Sequence, residues 1–419
     1  MIIFKQKTSQ MYYGWWVVGS CFLISLFAGG FVILGFTAFF EPIVQEFGWS
    51  YAAVSLAASL RGAETGLLAP LLGFLTDRWG PRRIIFSGII ICGIGLMLLS
   101  RINSLATFYG AFALVAVGIS CVSPTVVFTA VNNWFREKAG MASGIMISGF
   151  SFGGLLVPLV VKLIDVFQWR IAFLILGIGM CLIVMPISLL VKDKPRDMDL
   201  YTSKEKNTAE KHSGNVSKVT YNQESSGVLQ ALSSRAFWHI GLGMSLQFLA
   251  IAAILVHVMP YLSNLGISRA TGSIVATAFP LISVLGRFGA GWLGDRYNKR
   301  VIATMFFSMA CLGQLFFGLI TSNSVTLIIL SVLFFGIAWG GSAVIRVILV
   351  NEYFGRKNFG TILGLIMGII AVGGVAGPFI VGWIFDSWSN YQAAWLLYAG
   401  LLLLATIIIV TAPNPGLKT

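Results

Sequence analysis

Arg61, Glu64, Arg287 and Arg346 stand inside long apolar stretches of this chain, where each buried charge costs about 2.5–3.5 kcal/mol to insert and needs a reason to be there. Arg287, in the run SVLGRFGAG, has no acid within a helical turn to neutralise it. A guanidinium in such surroundings can hold a carboxylate through two parallel hydrogen bonds. A bound anion is one reading and a structural pairing with a neighbouring helix is the other; the missing local acid favours the anion. Arg61 and Glu64 are spaced i, i+3 and share one helix face. They read either as a self-neutralised folding pair or as a carboxylate whose protonation answers to water and to a bound anion. Arg346 lies toward one end of its stretch, as a gate or a side chain snorkelling to the surface. Of three histidines, His212 and His239 lie in or beside polar sequence, while His257 sits in the apolar run LVHVMPYLSNLG. Histidine titrates nearest neutral pH, so His257 is read as a gate or proton site, against a hydrogen-bonded structural role. Polar positions in the same stretches are Thr37, Ser120, Ser123, Thr125, Gln247, Trp339 and Ser342. Apolar walls with a few polar groups suit a small amphipathic anion, and Thr37, Ser123, Gln247 and Trp339 join Arg287 as expected ligand contacts.

The elements that must position these groups follow from composition. Of 419 residues 57% are hydrophobic and only 10% charged, where a soluble domain carries about 25% charged residues; mean hydropathy is +0.87. A membrane-spanning helix takes about 20 apolar residues. Apolar runs lie near 13–39, 51–75, 84–100, 105–131, 140–163, 170–191, 237–262, 270–294, 301–320, 325–350, 360–384 and 392–411. The expectation is an all-α membrane protein with twelve transmembrane helices. The opening MIIFKQKTSQMYYGWW reads as the approach to a first span rather than a cleavable leader. The stretch 192–236, rich in Lys, Ser, Asn and Glu, cannot bury a core and divides the chain into a bundle over 1–191, a linker over 192–236 with room for a short helix, and a bundle over 237–419.

The net charge of +13 is a topology signal rather than a nucleic-acid footprint. Arg101, Lys162, Arg170 and Arg269 fall on one side of the predicted membrane, and Arg61, Arg287 and Arg346 within it; the remaining 21 of the 28 Lys and Arg fall on the other side. By the positive-inside rule both termini are expected in the cytoplasm, in a cell inner (plasma) membrane. The five cysteines are scattered through apolar segments without metal-ligand spacing and read as small buried hydrophobes.

The chain repeats itself. FGWSYAAVS at 47–55 matches LGISRATGS at 265–273, and GFLTDRWGPRR at 73–83 matches GWLGDRYNKR at 291–300, both at an offset of 218. NNWF at 132–135 matches NEYF at 351–354, and Gly144, Gly153, Gly154 and Pro158 match Gly364, Gly373, Gly374 and Pro378. Two halves of equal topology repeat about an axis along the membrane normal. The charged chemistry does not repeat: Arg287 stands opposite Ala69, His257 opposite Phe39, and Arg61 opposite Phe279.

This repeat, with its loop motif in both halves, resembles the major facilitator superfamily over the whole chain. Gly73, Asp77, Arg78, Gly80, Arg82 and Arg83 match the motif GxLxDRxGxRR, and Gly291, Asp295, Arg296, Lys299 and Arg300 keep it in the second copy, with Asn298 in place of Gly80. The resemblance implies two pseudo-symmetric six-helix bundles, the major facilitator fold. Asp77, Arg78, Arg82, Arg83, Asp295 and Arg296 are then expected to form a cytoplasmic ionic latch; a role in topology alone would need the cations but not the Asp.

A narrower resemblance is to monocarboxylate transporters and their bacterial relatives, including oxalate/formate-type antiporters. WFREKAGMASGIMISG at 134–149 is similar to that group's fifth-helix signature, with Met141 in place of Leu, and YGWWVV at 13–18 to its first helix, without the usual acid. KPRDMDL at 194–200 resembles the sequence after the sixth helix in bacterial members. The group's substrate-binding arginine matches Arg287, and its bacterial members carry a histidine where His257 stands. An Asp that takes part in proton coupling in the animal carriers is here Ser283, and their first-helix lysine has no counterpart between Phe31 and Phe40.

The resemblance implies a secondary carrier working by alternating access as a monomer. It would move a monocarboxylate such as lactate or pyruvate by proton symport, or exchange anions as oxalate/formate carriers do. A carrier of a drug or sugar and a nontransporting sensor are the other readings. The drug-antiporter Gly-Pro signature is missing, since Pro158 follows SFGGLLV, and 192–236 contains no signalling module. No nucleotide loop, metal cluster or nucleophile motif was found, so neither an enzyme nor a cofactor is expected.

Overall fold

The structure is a computed structural model and describes residues 13–135, 139–193, 228–321, 324–355 and 359–413. Among these residues every regular element is a helix. Nine stretches are long and apolar enough to cross a membrane. One of them, Met141–Leu189, has 49 residues, about 74 Å at 1.5 Å per residue, more than twice a bilayer's hydrocarbon core of about 30 Å. It breaks at Gln168, φ 65, and supplies the fifth and sixth spans. Tyr51–Trp79 is the second span, and Leu105–Ser120 with Pro124–Asn132 the fourth. With these the total is the expected twelve.

The remaining spans are Tyr13–Phe47 (first), Pro81–Leu99 (third), Arg235–Asn264 (seventh), Arg269–Arg296 (eighth), Lys299–Gly318 (ninth), Val325–Phe354 (tenth), Phe359–Trp388 (eleventh) and Tyr391–Val410 (twelfth). A short helix, Val228–Ser233, precedes the seventh. Their starts are set by short polar side chains that accept an otherwise unpartnered backbone N–H: Ser50 from Ala53, Ser234 from Phe237, Ser268 from Thr271 and Asn390 from Gln392. The first span runs on to Phe47, past the expected end near 39. Of the two acids that lower its hydropathy there, Glu46 is held by Trp169 Nε1 at 2.6 Å and by the Arg170 guanidinium.

Packing repeats with the sequence. The first helix lies on the fifth, the second and third on the fourth, and the third on the sixth; the seventh lies on the eleventh, the eighth and ninth on the tenth, and the ninth on the twelfth. Glycine permits the closest of these crossings. A Cβ on Gly153 would lie 2.6 Å from the Leu26 carbonyl oxygen and 2.7 Å from the Gly30 nitrogen, and one on its repeat mate Gly373 would strike the Ser245 carbonyl. Such backbone-to-backbone approach is a standard way for helices to associate in lipid, where no hydrophobic drive joins them.

Regularity does not repeat. The first helix contains a π turn, Gly29–Leu34, the fourth is interrupted at Cys121–Ser123, the fifth contains a 3-10 turn at Gly153–Leu156, and the sixth a π turn at Met180–Val184. The six spans of the second half are continuous α-helices.

The halves meet at one end. Call the end that carries the basic loops the basic end, and the other the far end. Between the halves the second helix packs on the eleventh, the eighth on the fifth, and the first on the seventh. The hydrogen bonds and ring contacts joining them include those of Thr37, Ala38, Phe40, Tyr51, Ala52, Ser55 and Gly154 of the first half with His257, Met259, Arg269, Thr277, Phe385, Asp386 and Tyr391 of the second, toward the far end.

Candidate functional site

The seal at the far end is built around His257, fully buried in the seventh helix. Its Nε2 lies 2.9 Å from Ser55 Oγ and 2.9 Å from the Pro378 carbonyl, and its Nδ1 lies 3.2 Å from the Tyr391 hydroxyl. Ser55 already donates its proton to the Tyr51 carbonyl at 2.6 Å, so toward the imidazole it accepts. Hydrogen-bond logic then puts the ring proton on Nε2, shared by Ser55 and Pro378, with Nδ1 accepting from Tyr391. One neutral ring thereby joins the second, seventh, eleventh and twelfth helices. Around it Tyr51, Phe385, Tyr391, Tyr261 and Trp395 form a continuous aromatic cluster, with Tyr391 stacked on Phe385 at 4.2 Å and on Trp395 at 6.1 Å between centroids. Thr37 belongs to the same seal: its buried hydroxyl accepts from the Met259 backbone N–H at 3.2 Å.

Arg287 lies just beyond the seal. In the eighth helix Thr277 donates to the Gly154 carbonyl at 2.7 Å, and Pro280 is what a Cβ on Gly154 would meet. Arg287 is seven residues past Pro280, two helical turns on the same face, about 10 Å nearer the basic end. Arg287 therefore lies on the stripe of the eighth helix that meets the fifth, toward the basic end from the Thr277 and Pro280 contacts. Its Nη1 is buried and has no hydrogen-bond partner. The other side of the eighth helix is fixed by the tenth: Gly340 abuts the Ser283 carbonyl and the Arg287 backbone nitrogen, and Gly286 abuts Ile337. Ser283 donates to the Pro280 carbonyl at 2.6 Å.

The tenth helix carries Trp339, Ser342 and Arg346 at i, i+3 and i+7, one face of a helix. Gln247 Nε2 donates to Ser342 Oγ at 2.6 Å, and Ser342 donates to the Ala338 carbonyl at 2.6 Å, so two of the expected polar positions satisfy one another between the seventh and tenth helices. Arg346 is about 6 Å nearer the basic end than Arg287, judged from the level at which Gly340 crosses the eighth helix. Its Nη1 lies 3.0 Å from Met367 Sδ, a weak acceptor, and its Nε is buried without a partner.

Across the gap the first half offers different groups. Arg61 turns into its own bundle: Nη1 donates to the Val32 carbonyl at 3.0 Å, and the guanidinium lies 5.9 Å from the Phe112 ring centre. Val32 is in the π turn of the first helix, where the change from i+4 to i+5 bonding leaves carbonyls short of donors. Glu64, one turn on, is partly exposed. Ser123 stands at the break in the fourth helix, and its buried hydroxyl has no hydrogen-bond partner. The side chain of Thr125 lies outside the described residues, as does His212.

At the basic end the side chains of Asp77 and Asp295, on which the expected latch depends, also lie outside the described residues. Arg78 and Arg83 are exposed, Arg82 half-buried, and Arg296 lies 4.2 Å from the Trp292 ring. The glycine of the motif is explained by a residue that the motif does not contain. Asp193, after the sixth helix, accepts from the Arg82 backbone N–H at 2.8 Å and caps the third helix. Gly80 is at φ +83, and a Cβ there would fall 2.6 Å from that carboxylate. In the second copy Asn298 caps the ninth helix itself, accepting from Arg300 N at 2.9 Å, so no glycine is required.

Apolar helices sealed at one end around a buried histidine, with a buried unbonded guanidinium nitrogen in the eighth helix, make a multi-pass membrane bundle, and the proteins it resembles are transporters rather than enzymes. The chain belongs to the Major Facilitator Superfamily, whose family model matches residues 20–268 and 253–419. It is 25% identical over 417 residues to monocarboxylate transporter 12 of Rattus norvegicus, covering 95% of this chain and 85% of that protein. To monocarboxylate transporter 2 of Homo sapiens it is 24% identical over 409 residues, covering 94% and 84%. Solved structures share the fold. A bacterial homolog to the human lysosomal transporter Spinster, in an inward-facing and occupied conformation, aligns with TM-score 0.77 at 15% identity over 96% of this chain and 97% of that one. A nucleoside transporter, NupG, aligns with TM-score 0.75 at 14% identity over 95% and 100%.

Proposed function

We propose that this chain is a secondary active transporter of a small organic anion, a monocarboxylate of the size of lactate or pyruvate, working by proton symport and alternating access. It sits in the cell inner (plasma) membrane with the basic end and both termini in the cytoplasm. Segment 192–236 tethers the halves 1–191 and 237–419. The observation that carries the reading is Arg287, a cation on the stripe that faces the opposite half, with a buried nitrogen left unbonded by the protein. A buried charge is retained when a partner compensates it, and a carboxylate matches the guanidinium fork. That curated relatives such as these are named monocarboxylate transporters supports the same solute class. Ser123, whose hydroxyl is also unbonded, and Trp339 are the accompanying contacts; Thr37 and Gln247 act through the helices they join. His257 serves the outer gate and Arg346 the inner one, while the arginine-rich motif with Asp77 and Asp295 latches the inner side.

A second reading has one observation behind it. Ser283 stands where the animal carriers have an acid, and its hydroxyl is committed to the Pro280 carbonyl, which favours exchange of anions over symport. Purified protein in liposomes separates the two, with labelled lactate, pyruvate, acetate, formate and oxalate as the panel. Uptake that rises with an inward proton gradient supports symport; uptake that needs an internal anion and ignores the gradient supports exchange. If symport runs through Glu64, Glu64→Gln abolishes the response to the gradient while counterflow persists. An unchanged gradient response in that variant removes Glu64 from the mechanism.

A further inference from the structure

Two aspartates outside the proposed binding site reach from one half to the other at the far end. Asp386, near the end of the eleventh helix, accepts from the backbone N–H groups of Tyr51 at 2.8 Å and Ala52 at 2.7 Å, the first residues of the second helix. Asp165, near the end of the fifth, lies 3.4 Å from Nε of Arg269, the first residue of the eighth. Tyr51 and Arg269 hold matching positions in the repeats FGWSYAAVS and LGISRATGS. Three residues after each aspartate the chain passes through a left-handed residue, Gln168 at φ 65 and Ser389 at φ 50, so both aspartates occupy the same place before the same turn. The contacts they make, eleventh on second and fifth on eighth, are the pair that the internal two-fold exchanges.

We propose that Asp386 and Asp165 are two halves of one symmetric latch that holds the far end closed. The leading N–H groups of a helix have no partner within it and form its positive end. Asp386 satisfies two of them from the opposite bundle. On the symmetric side a side chain takes the place of the backbone donors: Arg269 meets Asp165 and also donates from Nη2 to the Ala38 carbonyl at 3.2 Å. Both aspartates are exposed, where ion pairs are weak and exchange readily with water. That suits bonds broken and remade in every cycle, and the buried His257 network adjoins the Asp386 side through Tyr51 and Ser55. The latch is independent of which solute is carried, because neither aspartate faces Arg287.

The test is a distance measurement across the far end in full-length protein in nanodiscs, with spin labels at Asn103 and Thr321, both exposed in far-end loops. The native cysteines are replaced and uptake checked first. Asp386→Asn and Asp165→Asn are each expected to raise the far-end-open population about two- to fivefold, the scale of a solvent-exposed charge at a helix terminus. The double variant should show the product of the two effects. Exchanging the pair, Asp165→Arg with Arg269→Asp, should return the distribution to that of the unaltered protein. Unchanged distances in both single variants overturn the latch, as does a charge exchange that leaves the population as open as Asp165→Asn alone. If Asp386→Asn does not fold, Arg269→Gln and the exchanged pair decide the question. The readout needs no substrate, so failure of the latch and failure of the anion reading are told apart.

Discussion

The two halves share one packing plan and divide the work differently. The first is built from helices broken by two π turns, a 3-10 turn and an interrupted fourth helix, and its cation Arg61 is tied to one of those breaks. The second is six continuous helices whose two cations, Arg287 and Arg346, each keep a buried nitrogen unbonded. The serine positions reverse the contrast: Ser342 is bonded by Gln247, while Ser123, at the matching position of the first half, has a hydroxyl with no hydrogen-bond partner. Duplication supplied a scaffold, and one copy then became a rigid platform for charge while the other kept backbone irregularities that can give.

The sharpest way to break that comparison is to remove the cations one at a time. Arg287→Met should lower uptake about a hundredfold, the value of losing charge-assisted hydrogen bonds to the solute, with thermal stability in detergent unchanged or raised because an unpaired buried charge is gone. Arg61→Met should lower stability by about 1–3 kcal/mol by stranding the Val32 carbonyl. Opposite outcomes in uptake and melting assays would reverse the assignment of roles. Next in size are the glycines. Gly373→Val should destabilise by about 2 kcal/mol or more through overpacking, and Gly153→Val by less, because it sits at the paired breaks of the first and fifth helices. Equal losses in denaturation would mean that the first half is no more pliant than the second. The smallest contrast is between the serines. Ser342→Ala should cost about 1 kcal/mol of stability by leaving Gln247 unpaired; Ser123→Ala should leave stability alone and weaken anion binding, read by titration of the purified protein.

Much of this was legible in the chain. Twelve spans, the repeat and the odd residues Arg287 and His257 stand out because an apolar background makes any charge conspicuous. The breaks did not, since Gly29-Gly30 and Gly373-Gly374 look alike and only the partner backbone decides which pair bends. Polarity alone makes Thr37 and Gln247 look like cavity positions; their hydrogen-bond partners, a backbone N–H of Met259 and Ser342, lie far off in sequence. Asp386 does not stand out in the sequence, because an acid at the end of an apolar run is ordinary and its partners are two backbone N–H groups that no sequence pattern marks. Gly80 is visible as part of a motif, but its reason, Asp193, lies far along the chain after the sixth helix.

The aromatic cluster behind the seal has an optical consequence. Trp395 is fully buried, its indole N–H has no partner, and it stacks on Tyr391 in a dark, apolar surround. Tyr51 is the first-half member of that cluster, so when the far end parts the second-half rings are left facing a new medium. A variant retaining Trp395 as its sole tryptophan would emit toward the blue while shut and shift red as water arrives, turning each half-cycle of the carrier into a colour that stopped-flow fluorescence can time.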